Sequence, residues 1–460
     1  LETFATMIHA WTGFEGDITD EAELSQHILL SCAAPHLGET ALSSLSARFN
    51  VNAARFCNDL YETWLRSNNG AGIDTLREAC LNVEDSYALP SLLDAAPTEM
   101  LLQCDTFPCI DATILERLIA EVAQPDGDYQ RILAHAAERR SHVWYRDFEV
   151  YYRAVTAAAH MQDMHRSCAG AIDTGTPKEI WNAYTTDLCS MDRWYREFNE
   201  SLAAALKHSC YGLDDALKSC SASIEALYKN WFLRELSKRW LSACADDLST
   251  KGHANGIPLQ LDFDMAEVGP LTRTSKRAWI IVSDALRYEV AQELGEVIQH
   301  ETRCACELDA MQSVFPSITK CGMSALLPAG TFRMEQGADG LDVLVDGSVA
   351  AGTAARGNQL ATQYPGAVAV QYSEFINQMT SSERKELMAD APLVYIYHNT
   401  IDAMGDKPVS EAKTFEACRD AILELKALVE RLVREQKASN IIITADHGFL
   451  YTAEPLDGHE

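Results

Sequence analysis

The chain has 460 residues, 47% of them hydrophobic and 23% charged, which is enough for two or three domains with a large core and excludes a disordered or fibrous protein. Its formal net charge of −29 excludes a generic nucleic-acid-wrapping surface, because phosphate-backbone binding depends on clustered Lys and Arg. A phosphate-bearing substrate would have to be held through bound cations or a local basic groove.

From residue 1 to about 250 the apolar positions recur at helical spacing, as in "AELSQHILLSCAA", "TILERLIAEVA" and "SIEALYKNWFLRELSKRWLSACA", and the pattern predicts an all-α domain over 1–250. The aromatic stretch "HVWYRDFEVYYR" at 142–153 has the spacing of a helix-packing stripe rather than of a base-stacking platform. Around 251–277, Gly, Pro and polar residues predict a linker. Beyond it the texture changes. "RAWIIVSDALRYEVAQELGEVI" joins an unbroken apolar run to an amphipathic helix, and the theme returns in "APLVYIYHNTID" and "SNIIITADHGF", with a long helical pattern between them. Unbroken apolar strands alternating with helices predict a parallel sheet covered on both faces over 278–460. The fold class expected is therefore α/β, a helical region followed by a mostly parallel sheet sandwiched by helices.

The fourteen cysteines are scattered without a C-x-x-C pair, which predicts buried thiols in a reducing cytoplasm. Cys304 and Cys306, on one face of a predicted strand, read as core. No apolar run reaches the roughly 18 residues that span a bilayer, so no membrane association is expected. The chain opens on Leu1 and stops at "TAEPLDGHE", soon after a strand, and reads as a piece of a longer protein with its sheet cut short at the C-terminal end.

Three apolar runs deliver acids or imidazoles: Asp284 from "IIVSDAL", His398, Asp402 and Asp406 from "YIYHNTIDAMGD", and Asp446 and His447 from "IIITADHGF". In a parallel sheet these ends share one edge, where ligands gather. A single Asp after a strand is ordinarily a turn former, but carboxylates and an imidazole converging from three strands are the oxygen and nitrogen donors of a divalent cation. "SVFPSITKCGMSALLP" adds a hydroxyl, Thr319, at a loop-to-helix junction. Ser317 or Thr319 can serve there as a helix cap. Beside two cations Thr319 would be a nucleophile for phosphoryl transfer, with the helix N-terminus favouring the anion. The D-x-D at Asp262 and Asp264 lacks the preceding buried strand that a phosphotransferase of that kind requires.

In this order, "WIIVSDALRYE", "FPSITKCGMSALLP", "YHNTIDAMGD" and "IIITADHGFLY" resemble the alkaline phosphatase superfamily, and in detail its PglZ branch from BREX phage-defence systems. The resemblance implies an alkaline-phosphatase-like core and a metal-dependent phosphatase or phosphodiesterase with Thr319 as the transiently phosphorylated nucleophile. It implies that Asp284, Thr319, Asp446 and His447 surround one cation and that Asp402 and Asp406 hold another, with zinc expected and manganese or magnesium as alternatives. Asp406 stands where the family's pattern has His. A further downstream His of the pattern has no counterpart, since His459 follows too closely and reads as a loop residue. Arg287 and Lys320 are expected near the phosphate, and His398 is read as a substrate contact or a structural residue. The resemblance also implies partners among BREX proteins, including a PglX-type methyltransferase, and a phosphate ester or nucleic acid as substrate. The alternative is a non-catalytic scaffold with a vestigial metal site.

Overall fold

The computed structural model of the protein describes residues 2–66, 70–169, 172, 175–273, 276–337, 340–405 and 413–452. The chain divides into two compact units, one of Leu1–Ala169 and Glu197–Leu227, the other of Gly170–Arg196 and Tyr228–Glu460.

The first unit is helical among its described residues, and its apolar faces meet in a core that includes Leu29, Leu30, Leu76, Ile110 and Ile114. Trp144, Phe148, Tyr151 and Tyr152 are all buried, so the aromatic stripe packs the core. A buried ion pair sits within it: the Arg139 guanidinium donates to both carboxylate oxygens of Asp111, at 2.9 and 2.6 Å, and also to the carbonyls of Leu102 and Cys104. The fork geometry satisfies both ions, which is the condition for burying them.

Among its described residues the second unit has seven strands, β1 (Ala278–Ser283), β2 (Phe332–Gly337), β3 (Gly340–Val345), β4 (Ser348–Val349), β5 (Val368–Gln371), β6 (Leu393–His398) and β7 (Ile441–Thr444). A parallel sheet runs in the order β5-β6-β1-β7, and a separate antiparallel sheet in the order β2-β3-β4. The register sets Ser283 beside His398 and Val282 beside Thr444, so β1, β6 and β7 end level with one another.

Both faces of the parallel sheet are buried, which explains the unbroken apolar runs. Trp279, Ile281, Val394 and Ile396 pack on the helices Tyr288–Glu301 and Thr414–Gln436. Ala278, Ile280, Val282, Leu393, Tyr395 and Tyr397 face the opposite layer, with Met323, Leu326 and Leu327 at one end of it and Leu360 from the helix Gly352–Gln363 at the other. The stretch 251–277 carries short helical segments, Gln260–Asp262, Asp264–Val268 and Gly269–Thr272, and Phe263 and Val268 are buried in that same layer. None of the fourteen cysteines forms a disulfide. Among the described residues no helix is long and apolar enough to cross a membrane.

Candidate metal centre

The level ends of β1, β6 and β7 bring their acids together. The Asp284 N–H donates to the His398 carbonyl at 2.8 Å, which extends the β1–β6 ladder by one residue. The chain then turns through Ala285, whose φ of 62° lies in the left-handed region and costs a non-glycine residue roughly 1–2 kcal/mol. That turn aims the Ala285 N–H at Asp446 Oδ1, 3.2 Å away. Asp402 lies in the first turn of the helix Thr400–Gly405, just past β6.

Thr319 is the first residue of the helix Thr319–Ala325, whose start has no side-chain cap. Its hydroxyl lies instead 2.9 Å from His447 Nε2. Gly322 makes this approach possible, because a Cβ built there would stand 2.1 Å from the Asp446 carbonyl oxygen. The helix thus rests backbone to backbone on the end of β7. From the other side, buried Gln260 donates through Nε2 to the carbonyls of Ala445 and Asp446 at 3.1 and 2.6 Å, and its Oε1 accepts from Val314 N–H. One side chain therefore ties the loop before Thr319 to the residues that carry Asp446 and His447.

The electrostatics of the centre are uncompensated. Asp284 Oδ1 and Asp446 Oδ2 are buried without a hydrogen-bond partner and lie 3.4 and 3.5 Å from His447 Nε2. His447 Nδ1 is 2.7 Å from the Gly448 carbonyl oxygen, so Nδ1 carries the hydrogen and donates it, leaving a lone pair on Nε2. Two orphaned carboxylate oxygens therefore converge with a nitrogen lone pair. Donor atoms of Asp284, Asp402 and His447 all lie within 4.8 Å of one another. Divalent cations bound there would satisfy these groups, which are the oxygen and nitrogen donors such ions take.

Burial pushes the Asp284 carboxyl up to about 8, with the Asp446 and Asp402 charges adding to the rise and the Arg356 guanidinium opposing it. Burial also raises Asp446, against the opposing effect of His447. A carboxyl raised in the folded state holds a proton that the unfolded chain has already lost, so metal-free protein is expected to lose stability as pH rises from about 4 through about 8. Thermal unfolding in chelator across that range checks this, and added zinc should reverse the trend. A stability that climbs steadily with pH in chelator would count against a proton-holding Asp284.

The other expected site residues are engaged elsewhere. Arg287 is buried, donating from Nε to Glu289 at 2.8 Å and from Nη2 to the Asp192 carbonyl at 3.1 Å, with its guanidinium over the Phe449 ring. Glu289 is shared with Arg196, and the Asp192 carboxylate accepts from the hydroxyls of Tyr184 and Tyr228. Lys320 reaches the β3 strand, donating to the Leu341 carbonyl at 2.6 Å. His398 is fully buried, with Nδ1 2.9 Å from Ser283 Oγ and Nε2 2.9 Å from Glu424. Glu424 also accepts from Thr400 Oγ1 at 2.5 Å, so this cluster ties the end of β1 to the helix that carries Asp402. Asp406 and His459 lie outside the described residues. Asp264, at the start of the short helical segment Asp264–Val268, accepts from the Tyr364 hydroxyl and Gln363 Nε2.

The fold and the convergence of acids at one sheet edge define an alkaline phosphatase-like α/β domain. Residues 263–460 match the family described as the BREX system PglZ alkaline phosphatase-like domain, and this part of the chain belongs to that family. The chain is 35% identical over 387 residues to an alkaline phosphatase-like protein BrxZ of Escherichia coli O9:H4 (strain HS), an alignment that takes in 82% of this chain and 43% of the relative. It is 28% identical over 393 residues to an alkaline phosphatase-like protein PglZ of Bacillus cereus (strain H3081.97), with 85% of this chain and 45% of the relative covered. The likeness thus extends into the helical region, and the chain spans about half the length of these curated relatives.

Proposed function

We propose that this centre is a metal-dependent phosphoric ester hydrolase site with Thr319 as nucleophile. The observation that carries the reading is the Thr319 hydroxyl 2.9 Å from His447 Nε2, beside the two orphaned carboxylate oxygens. Asp284, Asp446, His447 and Thr319 would hold one cation, and Asp402 a second, with Asp406 four residues on in the sequence as its further ligand. A divalent cation there lowers the pKa of an attacking hydroxyl and neutralises phosphate charge.

The Thr319 oxygen bonds to phosphorus as the ester oxygen leaves with a proton; water then displaces Thr319 from phosphorus and restores the hydroxyl. The Ala285 N–H and Gln260 keep Asp446 in place during both steps. Phosphate monoesters and diesters, including nucleic-acid ends, are the substrate class. We place the chain in a BREX phage-defence system, with other BREX proteins such as a PglX-type methyltransferase as partners. Fourteen cysteines without a disulfide suit the reducing cytoplasm.

With zinc or manganese added, the chain is expected to hydrolyse p-nitrophenyl phosphate or bis-p-nitrophenyl phosphate and to lose that turnover in chelator. No turnover at full metal loading would favour the scaffold alternative.

A further inference from the structure

The Arg356 guanidinium keeps a buried Nε–H without a hydrogen-bond partner. It projects from the helix Gly352–Gln363, which sits on β5 through Gly357, where a Cβ would lie 3.2 Å from the Ala369 Cβ. Its guanidinium stands 4.8 Å over the Tyr397 ring, the residue just before His398 on β6. The Nε atom is buried without a hydrogen-bond partner, and so is the Tyr397 hydroxyl. No described residue forms an ion pair with Arg356.

In a chain with 67 acids against 38 bases, a half-buried guanidinium with no carboxylate partner among the described residues calls for an explanation. Arg196, Arg287 and Arg384 in the same unit all reach glutamates. An unmade buried hydrogen bond is destabilising, so a site that keeps one is set up for a group that arrives from outside. Tyr397 pairs with Val282 on β1, two residues before Asp284, so the stacked guanidinium lies near the sheet edge that carries the proposed metal ligands. Stacking on an aromatic face leaves the N–H edges of a guanidinium free, and that planar fork matches two oxygens of a phosphoryl group.

We propose that Arg356, steadied on the Tyr397 ring, binds the non-bridging oxygens of the substrate's phosphoryl group. The ligand is a tetrahedral oxyanion carried by a phosphate ester, and Arg356 takes the role expected of Arg287 and Lys320, whose donors have other partners. This deepens the hydrolase reading and rests on it.

The test is calorimetric titration of inorganic orthophosphate into the zinc-loaded full chain, comparing wild type with Arg356→Ala and Arg356→Lys and titrating zinc in parallel. Arg356→Ala should weaken phosphate binding by about thirtyfold to a hundredfold, with zinc affinity unchanged, and Arg356→Lys should recover part of the loss. Where the ester is turned over, added guanidinium ion should partly restore Arg356→Ala and leave Thr319→Ala inactive. Phosphate affinity within twofold of wild type in Arg356→Ala, at unchanged zinc affinity, overturns the proposal, as does a zinc-loaded wild type that binds no phosphate. Wild-type chain that binds phosphate through Arg356 but turns over no ester would sink the hydrolase reading and leave the phosphate site standing. If Arg356→Ala does not fold, Arg356→Gln, which keeps length but not charge, gives the same readout.

Discussion

Replacing Thr319 by alanine is expected to lower turnover of a phosphate ester by at least about a thousandfold, because a covalent route loses its only acceptor oxygen. The carboxylates of Asp284 and Asp446 and the His447 imidazole remain in place, so zinc affinity should fall by no more than about tenfold. Thr319→Ser keeps an oxygen at the same position and should retain measurable activity. Acid quenching during turnover should leave phosphate on Thr319 in wild type and none in the alanine variant, as read by peptide mass spectrometry. Activity of Thr319→Ala within tenfold of wild type would remove the nucleophile from the scheme. That outcome would turn attention to a water molecule attacking in a single displacement.

Gly322→Ala is expected to be the most damaging single methyl group in the second unit. The Cβ would stand 2.1 Å from the Asp446 carbonyl oxygen and 2.6 Å from its carbonyl carbon, and both atoms belong to backbone that cannot rotate away. Relief requires the helix Thr319–Ala325 to lift off the end of β7. Overpacking of this kind costs about 1–3 kcal/mol or somewhat more. Because the same displacement separates Thr319 from His447, metal affinity and activity should fall together with stability. Denaturant unfolding and zinc titration of the variant measure both. A stability change within about 0.5 kcal/mol, the range of ordinary surface substitutions, would show that the helix does not press on Asp446.

The sheet and the convergence of Asp284, Asp402, Asp446 and His447 were legible because they depend on short-range pattern. An unbroken apolar run buried on both faces is a parallel strand, and the residue that follows it lies at the sheet edge. Thr319 was legible as a hydroxyl at a helix start, where capping and nucleophilic roles both fit; the structure gives it an uncapped first turn and a bond to His447. Side-chain direction was not legible. Arg287 follows Asp284 by three residues, yet its guanidinium turns into a buried cluster with Glu289 and the Asp192 carbonyl, and the second of these contacts joins residues 95 apart in the chain.

Gln260 escaped notice for a related reason. It lies in a Gly- and Pro-rich stretch that has the composition of a linker, and its partner Asp446 is 186 residues away. His398 sits at the strand end where a ligand is expected, and only the coordinates reveal that Ser283 and Glu424 occupy both ring nitrogens. Arg356 belongs to a helix with no motif around it. The pairing of residues 170–196 with the sheet unit likewise has no sequence signature, since an amphipathic helix does not specify which core it covers.

Diffraction from crystals soaked in zinc, recorded at the zinc absorption edge, tests directly the cation site on which the proposed chemistry depends. The predicted result is an anomalous peak about 2.0–2.2 Å from carboxylate oxygens of Asp284 and Asp446 and from His447 Nε2, with the Thr319 hydroxyl beside it. A map with no peak there, or zinc bound only at surface residues remote from Thr319, would contradict it.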